Sequence, residues 1–254
     1  MTLRTLLLIS LSVVFPAISL NAQQATFDRA NELLLGQQTD QAMALYRSIE
    51  EEGYLSGKLL FNMGMASVES DSLSLAKYYF LRAARFDETR EEAVEALRLV
   101  ENHFSRKASV LPSLPWERFF NWLDERLGTS LLLTIGLILL NLAACILLLS
   151  WFLPRYPRYQ RFAALSITFL AFSALLSAGW IGYLNERYDT GIMVVQEQGV
   201  YSEPNEHSVL VSTAWEGYRM TVDRDRSAGY EGWYYVRLEN GMYGWIHRDP
   251  VRVF

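Results

Sequence analysis

A chain of 254 residues allows one large domain or two small ones. Its 23 basic and 28 acidic residues leave a net charge of −5, which excludes a strongly basic nucleic-acid binder. The single cysteine, Cys145, excludes an intrachain disulfide framework and any paired-cysteine metal or redox motif. Apolar residues make up 51% of the chain and are gathered in three blocks.

The first block follows a short basic start, Met1 to Arg4, and runs from Leu6 to Leu20. Leu20-Asn21-Ala22 closes it with a small residue before Gln23-Gln24. This is the layout of a secretory signal peptide over residues 1–22, cleaved after Ala22, with an uncleaved N-terminal anchor as the alternative.

Residues 23–104 read as helices, and the segment repeats itself at a shift of 34 residues. Phe27 aligns with Phe61, Ala30 with Gly64, Leu34 with Val68, Ala42 with Ala76, Tyr46 with Phe80 and Ile49 with Ala83. Small residues at Ala30, Gly64, Ala42, Ala76 and Ala83 would let paired helices approach closely. The rings of Tyr46 and Phe80 would fill the gap to the next unit. This pattern resembles the tetratricopeptide repeat (TPR), with Gln37-Gln38 where a turn glycine is common and Glu88 where proline would end the second copy. A two-repeat array needs a cap, which residues 89–103 can supply. The resemblance implies a protein-binding groove. Asn31 and Asn62 are then candidate contacts to a bound peptide, and solvated surface is the other reading of them.

Ser105 to Pro115 is a linker with two prolines. Trp116, Phe119, Phe120, Leu123 and Leu127 then recur at helical spacing among charged residues. Within residues 105–128 this stripe suits a helix lying in the outer membrane–water interface or one packed on a partner protein. The second and third apolar blocks contain no charged residue and predict transmembrane helices at 129–153 and 162–185. The loop between them, 154–161, holds Arg155, Arg158 and Arg161 and no acid, which places it in the cytoplasm. Both flanking domains are then extracytoplasmic.

Beyond Asn185 the pattern becomes period-two, with strands expected at Ile192–Val195, Val209–Ser212, Arg219–Val222, Gly232–Leu238 and Met242–Ile246. Asn240-Gly241 between the last two predicts a two-residue hairpin turn. Five short strands in residues 190–254 predict a small barrel. Ser202-Glu203-Pro204, Glu216-Gly217, Gly232-Trp233-Tyr234-Tyr235-Val236 and Gly244-Trp245-Ile246 resemble the bacterial SH3-like domain. Val200-Tyr201 departs from that family's frequent Val-Arg. Trp233 and Trp245 are expected in the core. Tyr201, Tyr230 and Tyr243 are candidates for a ligand groove.

His103, His207 and His247 stand in separate segments without metal-ligand spacing, and no GxSxG, P-loop or GxGxxG occurs. The expected fold is therefore multidomain, with all-α TPR repeats, two transmembrane α-helices and an all-β SH3-like barrel. The expected function is non-enzymatic, with no cofactor and no metal. The whole arrangement resembles the BatE-like proteins of the bacterial Bat (aerotolerance) system. That resemblance implies a scaffold in the inner membrane with periplasmic domains. Its implied partners are von Willebrand A-domain Bat proteins and a MoxR-type ATPase. A peptidoglycan-sensing or anchoring protein is the second reading.

Overall fold

The structure, a computed structural model, describes residues 23–104, 106, 110–112, 114–152 and 157–254. The signal segment with Ala22, and Arg155 of the loop, lie outside the described residues. Residues 23–35 form α1, followed by α2 (Thr39–Glu51), α3 (Gly57–Glu69), α4 (Leu73–Ala83) and α5 (Arg90–His103).

The 34-residue period is visible in the backbone itself. Gln37 and Asp71 both take a left-handed φ, 59° and 54°, at the ends of α1 and α3. The amides of Gln38 and Ser72 donate to the carbonyls of Leu33 and Ser67, and those of Gln37 and Asp71 to Leu34 and Val68. These are two copies of one Schellman cap, which satisfies the last carbonyls of each helix. All seven packing positions, Ala30, Ala42, Tyr46, Gly64, Ala76, Phe80 and Ala83, are buried. Equivalent ring pairs join each hairpin: Phe27 with Tyr46 at 6.0 Å and Phe61 with Phe80 at 5.4 Å. Helix α5 covers the open side, putting Leu97 and Val100 against Ala76 and Phe80.

Helix α6 (Pro115–Phe152) is broken at Gly128, whose φ of 65° and ψ of 164° no helix contains. A side chain at that φ would be strained, so glycine lets the amphipathic arm turn away from the apolar one. The apolar arm pairs with α7 (Pro157–Arg187), and both helices are long and apolar enough to cross a membrane. Small residues line their seam: Ala143, Ala164, Ala171 and Ala178 are buried, and a Cβ on Gly136 would stand 2.7 Å from Leu175. The bulky apolar side chains, among them Leu137, Ile138, Phe169 and Leu176, point outward instead. The amphipathic stripe divides in two. Phe120, Leu123 and Leu127 pack on Leu132, Ala178 and Ile181 at the end of the hairpin. Trp116 and Phe119, together with Trp122, face outward.

The sheet begins at Tyr188, directly after α7 and two residues earlier than the expected boundary. It has seven strands rather than five: β1 (Tyr188–Met193), β2 (Glu197–Tyr201), β3 (Leu210–Trp215), β4 (Arg219–Asp223), β5 (Trp233–Leu238), β6 (Tyr243–His247) and β7 (Val251–Val253). A short helix, α8 (Arg224–Ser227), sits between β4 and β5. Of the two extra strands, β7 has only three residues and β2, Glu197-Gln198-Gly199-Val200-Tyr201, has no apolar–polar alternation to read. All pairings are antiparallel, in the order β3-β2-β6-β5-β4-β1-β7. Ala214 of β3 and Val251 of β7 belong to one aliphatic cluster with Met193, Val200, Val222, Val236 and Ile246. Strands at opposite ends of a sheet can share a core only if the sheet curls around it.

The β5–β6 turn differs from the expected two-residue form. Gly241 donates to the Leu238 carbonyl, Leu238 donates to Met242, and only Gly241 in the loop has a positive φ, 84°. This is the three-residue loop with a glycine bulge, in which the asparagine caps instead of turning: Asn240 Oδ1 accepts from the Met242 amide at 3.0 Å.

The helical domain and the sheet dock on each other. The Phe254 ring packs edge-on against Tyr78 at 5.4 Å and lies 4.6 Å below the Arg85 guanidinium. Phe104 presses on Gly217, where a Cβ would stand 2.5 Å from the ring. In the connecting segment the Leu111 amide donates to the Glu239 carbonyl at 3.0 Å. Asn185 at the end of α7 reaches Asp124 of the amphipathic arm at 3.3 Å. The helical domain, the sheet and the amphipathic arm thus gather at one end of the hairpin.

Candidate functional site: the aromatic outer face of the sheet

Strand alternation sorts the side chains of β5 and β6 onto two faces. Val236, Leu238 and Ile246 point into the aliphatic core, with Tyr234 packed on it. Trp233, Tyr235 and Arg237 point outward, as do Tyr243, Trp245 and His247 on the neighbouring strand. The register sets Trp233 opposite His247, Tyr235 opposite Trp245 and Arg237 opposite Tyr243, and Tyr201 of β2 lies opposite Trp245.

The result is a continuous band of rings on the outer side of β2, β6 and β5. Trp233 lies 3.9 Å from the His247 ring and meets Tyr201 edge-on at 6.0 Å. Tyr230, from the segment before β5, covers Trp245 at 4.5 Å, and Tyr235 meets the same indole at 5.2 Å. Tyr235 and Tyr243 stack at 6.3 Å. Guanidinium groups border the band, Arg226 lying 4.6 Å over Tyr235 and Arg237 5.7 Å over Tyr243. Glu206 holds the other end through His247 Nε2 at 2.8 Å.

Trp233 is therefore not in the interior. It is half-buried on the outer face, because its odd position in β5 opposes Tyr234 and Val236. Trp245 is buried, but by Tyr230 and Tyr235 rather than by the aliphatic core. The three candidate tyrosines do come together with these indoles. Tyr243 keeps 51% of its surface exposed and Tyr230 47%, so part of each ring remains open to a ligand. Such rings take sugars, prolines or extended peptide. Gly217 and Gly232 take a positive φ, 75° and 78°, and the Glu216 amide donates to the Gln196 carbonyl; a Cβ on Gly244 would meet the Tyr201 carbonyl at 2.7 Å, so glycine lets β2 close on β6.

Sequence reading did not assign Tyr235, His247, Arg226 or Arg237 to a ligand-facing surface. The signal was present in the alternation Trp233-x-Tyr235-x-Arg237 and Tyr243-x-Trp245-x-His247.

On the helical domain, Asn31 and Asn62 are engaged internally. Asn31 Oδ1 accepts from the Tyr46 hydroxyl at 2.7 Å and from Asn62 Nδ2 at 2.8 Å. Burial, only partly offset by hydrogen bonding to Asn62, pushes the Tyr46 hydroxyl up to about 12. These amides fix α1, α2 and α3 together. Among the described residues, no three His, Cys, Asp or Glu side chains are placed to hold a metal ion. Arg158 and Arg161 lie at the start of α7, at the hairpin's far end from both domains. No protein-family model matches the chain, and no curated protein sequence does.

Proposed function

We propose that this chain is a non-catalytic scaffold of the cell envelope, anchored by a membrane hairpin. Its helical hairpins form a short TPR array, and its sheet is an SH3-like module. The observation that carries this reading is the joining of both modules into one block at one end of the hairpin, with the aromatic band turned outward. A hairpin in the inner membrane with the arginine loop in the cytoplasm would hold that block in the periplasm. By the Bat-system resemblance, its partners are membrane-bound von Willebrand A-domain proteins working with a MoxR-type ATPase.

The test is affinity purification of the full chain from detergent-solubilised membranes. Von Willebrand A-domain proteins are expected to co-purify with the unaltered chain and to be lost with Tyr201→Ala/Tyr243→Ala. Their absence from both preparations would contradict the assignment. The stacked rings also favour a second reading, in which the sheet anchors the protein to peptidoglycan, since aromatic faces stack on sugar rings. Co-sedimentation with purified sacculi, dependent on the same two tyrosines, would select it.

A further inference from the structure

A cleft of about 640 Å³ separates the last turn of α7 from the outer face of β4, β5 and β6. Three guanidinium groups line it, those of Arg187, Arg226 and Arg237, with the Asp223 carboxylate among them. Arg187 is committed: it donates to Asp223 Oδ2 at 3.1 Å and to the Tyr183 hydroxyl. Its Nε is closed off from solvent without a hydrogen-bond partner, Asp225 Oδ2 standing 3.9 Å away. Arg226 lies 4.0 Å from the already engaged Asp223, outside hydrogen-bond range. Arg237 has no carboxylate partner among the described residues and rests on the Tyr243 ring. Two guanidinium groups are thus positioned by stacking with their donor edges unspent. Residues 189–254 hold 10 acidic and 6 basic side chains, so this cleft reverses the sign of its own domain.

The cleft is also fixed in height. Because β1 follows α7 without a linker, its wall is the last turn of an apolar helix, at Leu184 and Asn185. Trp180 and Tyr183, 6.0 Å apart and half-exposed one turn below, are the ring types that favour the headgroup layer. Arginine forks match phosphate oxygens in geometry as well as charge.

We propose that this cleft binds the phosphate of an anionic phospholipid headgroup, with the acyl chains running down beside Trp180 and Tyr183. Arg226 and Arg237 hold the phosphate, and the rings of Tyr235 and Tyr243 hold the two arginines in place. The lipid then fixes the height and tilt of the sheet on the membrane. This assignment rests on the reading that α6 and α7 cross a bilayer.

Native mass spectrometry of the full chain, released from an uncharged detergent, tests it with phosphatidylglycerol, phosphatidylcholine and inorganic phosphate added separately. Phosphatidylglycerol adducts are expected on the unaltered chain and on the control Arg252→Gln, a residue of β7 that does not line the cleft. Arg226→Gln/Arg237→Gln should retain about tenfold less, the scale of losing a charge-assisted hydrogen bond. Both side chains are exposed, and far-UV circular dichroism checks the fold of the variant; Arg237→Gln alone serves if the double variant unfolds. Equal retention by the arginine variants, equal retention of phosphatidylcholine, or displacement of the lipid by inorganic phosphate would overturn the proposal. Alkaline extraction of membranes separates the two claims. Release of the protein would contradict the spanning hairpin, whereas a protein that stays in the pellet but binds lipid independently of these arginines contradicts the cleft alone.

Discussion

At Gly64 the backbone of α3 passes so close to Phe80 that a Cβ would stand 2.5 Å from the ring. Gly64→Ala therefore overpacks the hairpin and should cost about 1–3 kcal/mol, read as a lower thermal midpoint of the full chain in detergent. Gln37 and Asp71 make the opposite case. Each occupies the left-handed cap position where glycine carries no Cβ penalty, so Gln37→Gly and Asp71→Gly should each raise stability by up to about 1 kcal/mol. The same measurement checks both, and a fall in midpoint would contradict the cap assignment. The missing glycine at Gln37 was legible in the sequence as a departure from the repeat pattern. The left-handed backbone there was not, because only the cap's hydrogen bonds impose it. Glu239 sets a pH dependence at the contact between the helical domain and the sheet. Burial raises its carboxyl above the ordinary 4.5, opposed by Lys77 and Arg219 and reinforced by Glu101. The folded protein thus keeps this proton to higher pH than the unfolded chain does. Its contribution to stability is full below the ordinary value and is lost as pH climbs through the raised one. Glu239→Gln should remove that loss, so a melting profile against pH is flatter above 4.5 for the variant. An unchanged slope would contradict the assignment.

Among the elements, the helical hairpins and the two long apolar helices were readable because each has ten or more residues over which a pattern can declare itself. Strand β7, with three residues, is too short for such a signal, and β2, Glu197-Gln198-Gly199-Val200-Tyr201, has no apolar–polar alternation. The division read between the amphipathic stripe and the first apolar block stands at 128, and the left-handed backbone that separates the two arms is at Gly128. Trp233 was misplaced because a tryptophan in a small domain suggests a core, whereas its register with Tyr234 turns it outward. The docking of the helical domain on the sheet was invisible in the sequence, since Phe254 and Tyr78 are far apart along the chain. Phe254→Ala removes the ring that sits between Tyr78 and Arg85 and should weaken this docking by about 2 kcal/mol. Amide exchange should then accelerate in α4 and β1 while α2 and β5 stay protected. Uniform acceleration would show that the ring supports the fold rather than the docking.

On the scale of the whole molecule, the roles proposed for the two modules and the cleft depend on one arrangement. A membrane-crossing hairpin must present both of its module-bearing ends to the same compartment, with Arg158, at the start of α7, on the other side. Charge reads the same way: residues 23–128 hold 17 acidic and 12 basic side chains, residues 189–254 are also acidic, and the loop is basic. A near-neutral average thus covers two acidic modules and one basic turn. Cysteine-accessibility mapping tests this most directly, because Cys145→Ala leaves a background free of thiols. In that background, exposed Gln38→Cys and Ser202→Cys should both react with a membrane-impermeant maleimide in cells with a permeabilised outer envelope and an intact inner membrane. Arg158→Cys should react only after the inner membrane is opened. Labelling of Gln38→Cys and Ser202→Cys from opposite sides, or of Arg158→Cys from outside, would contradict the account.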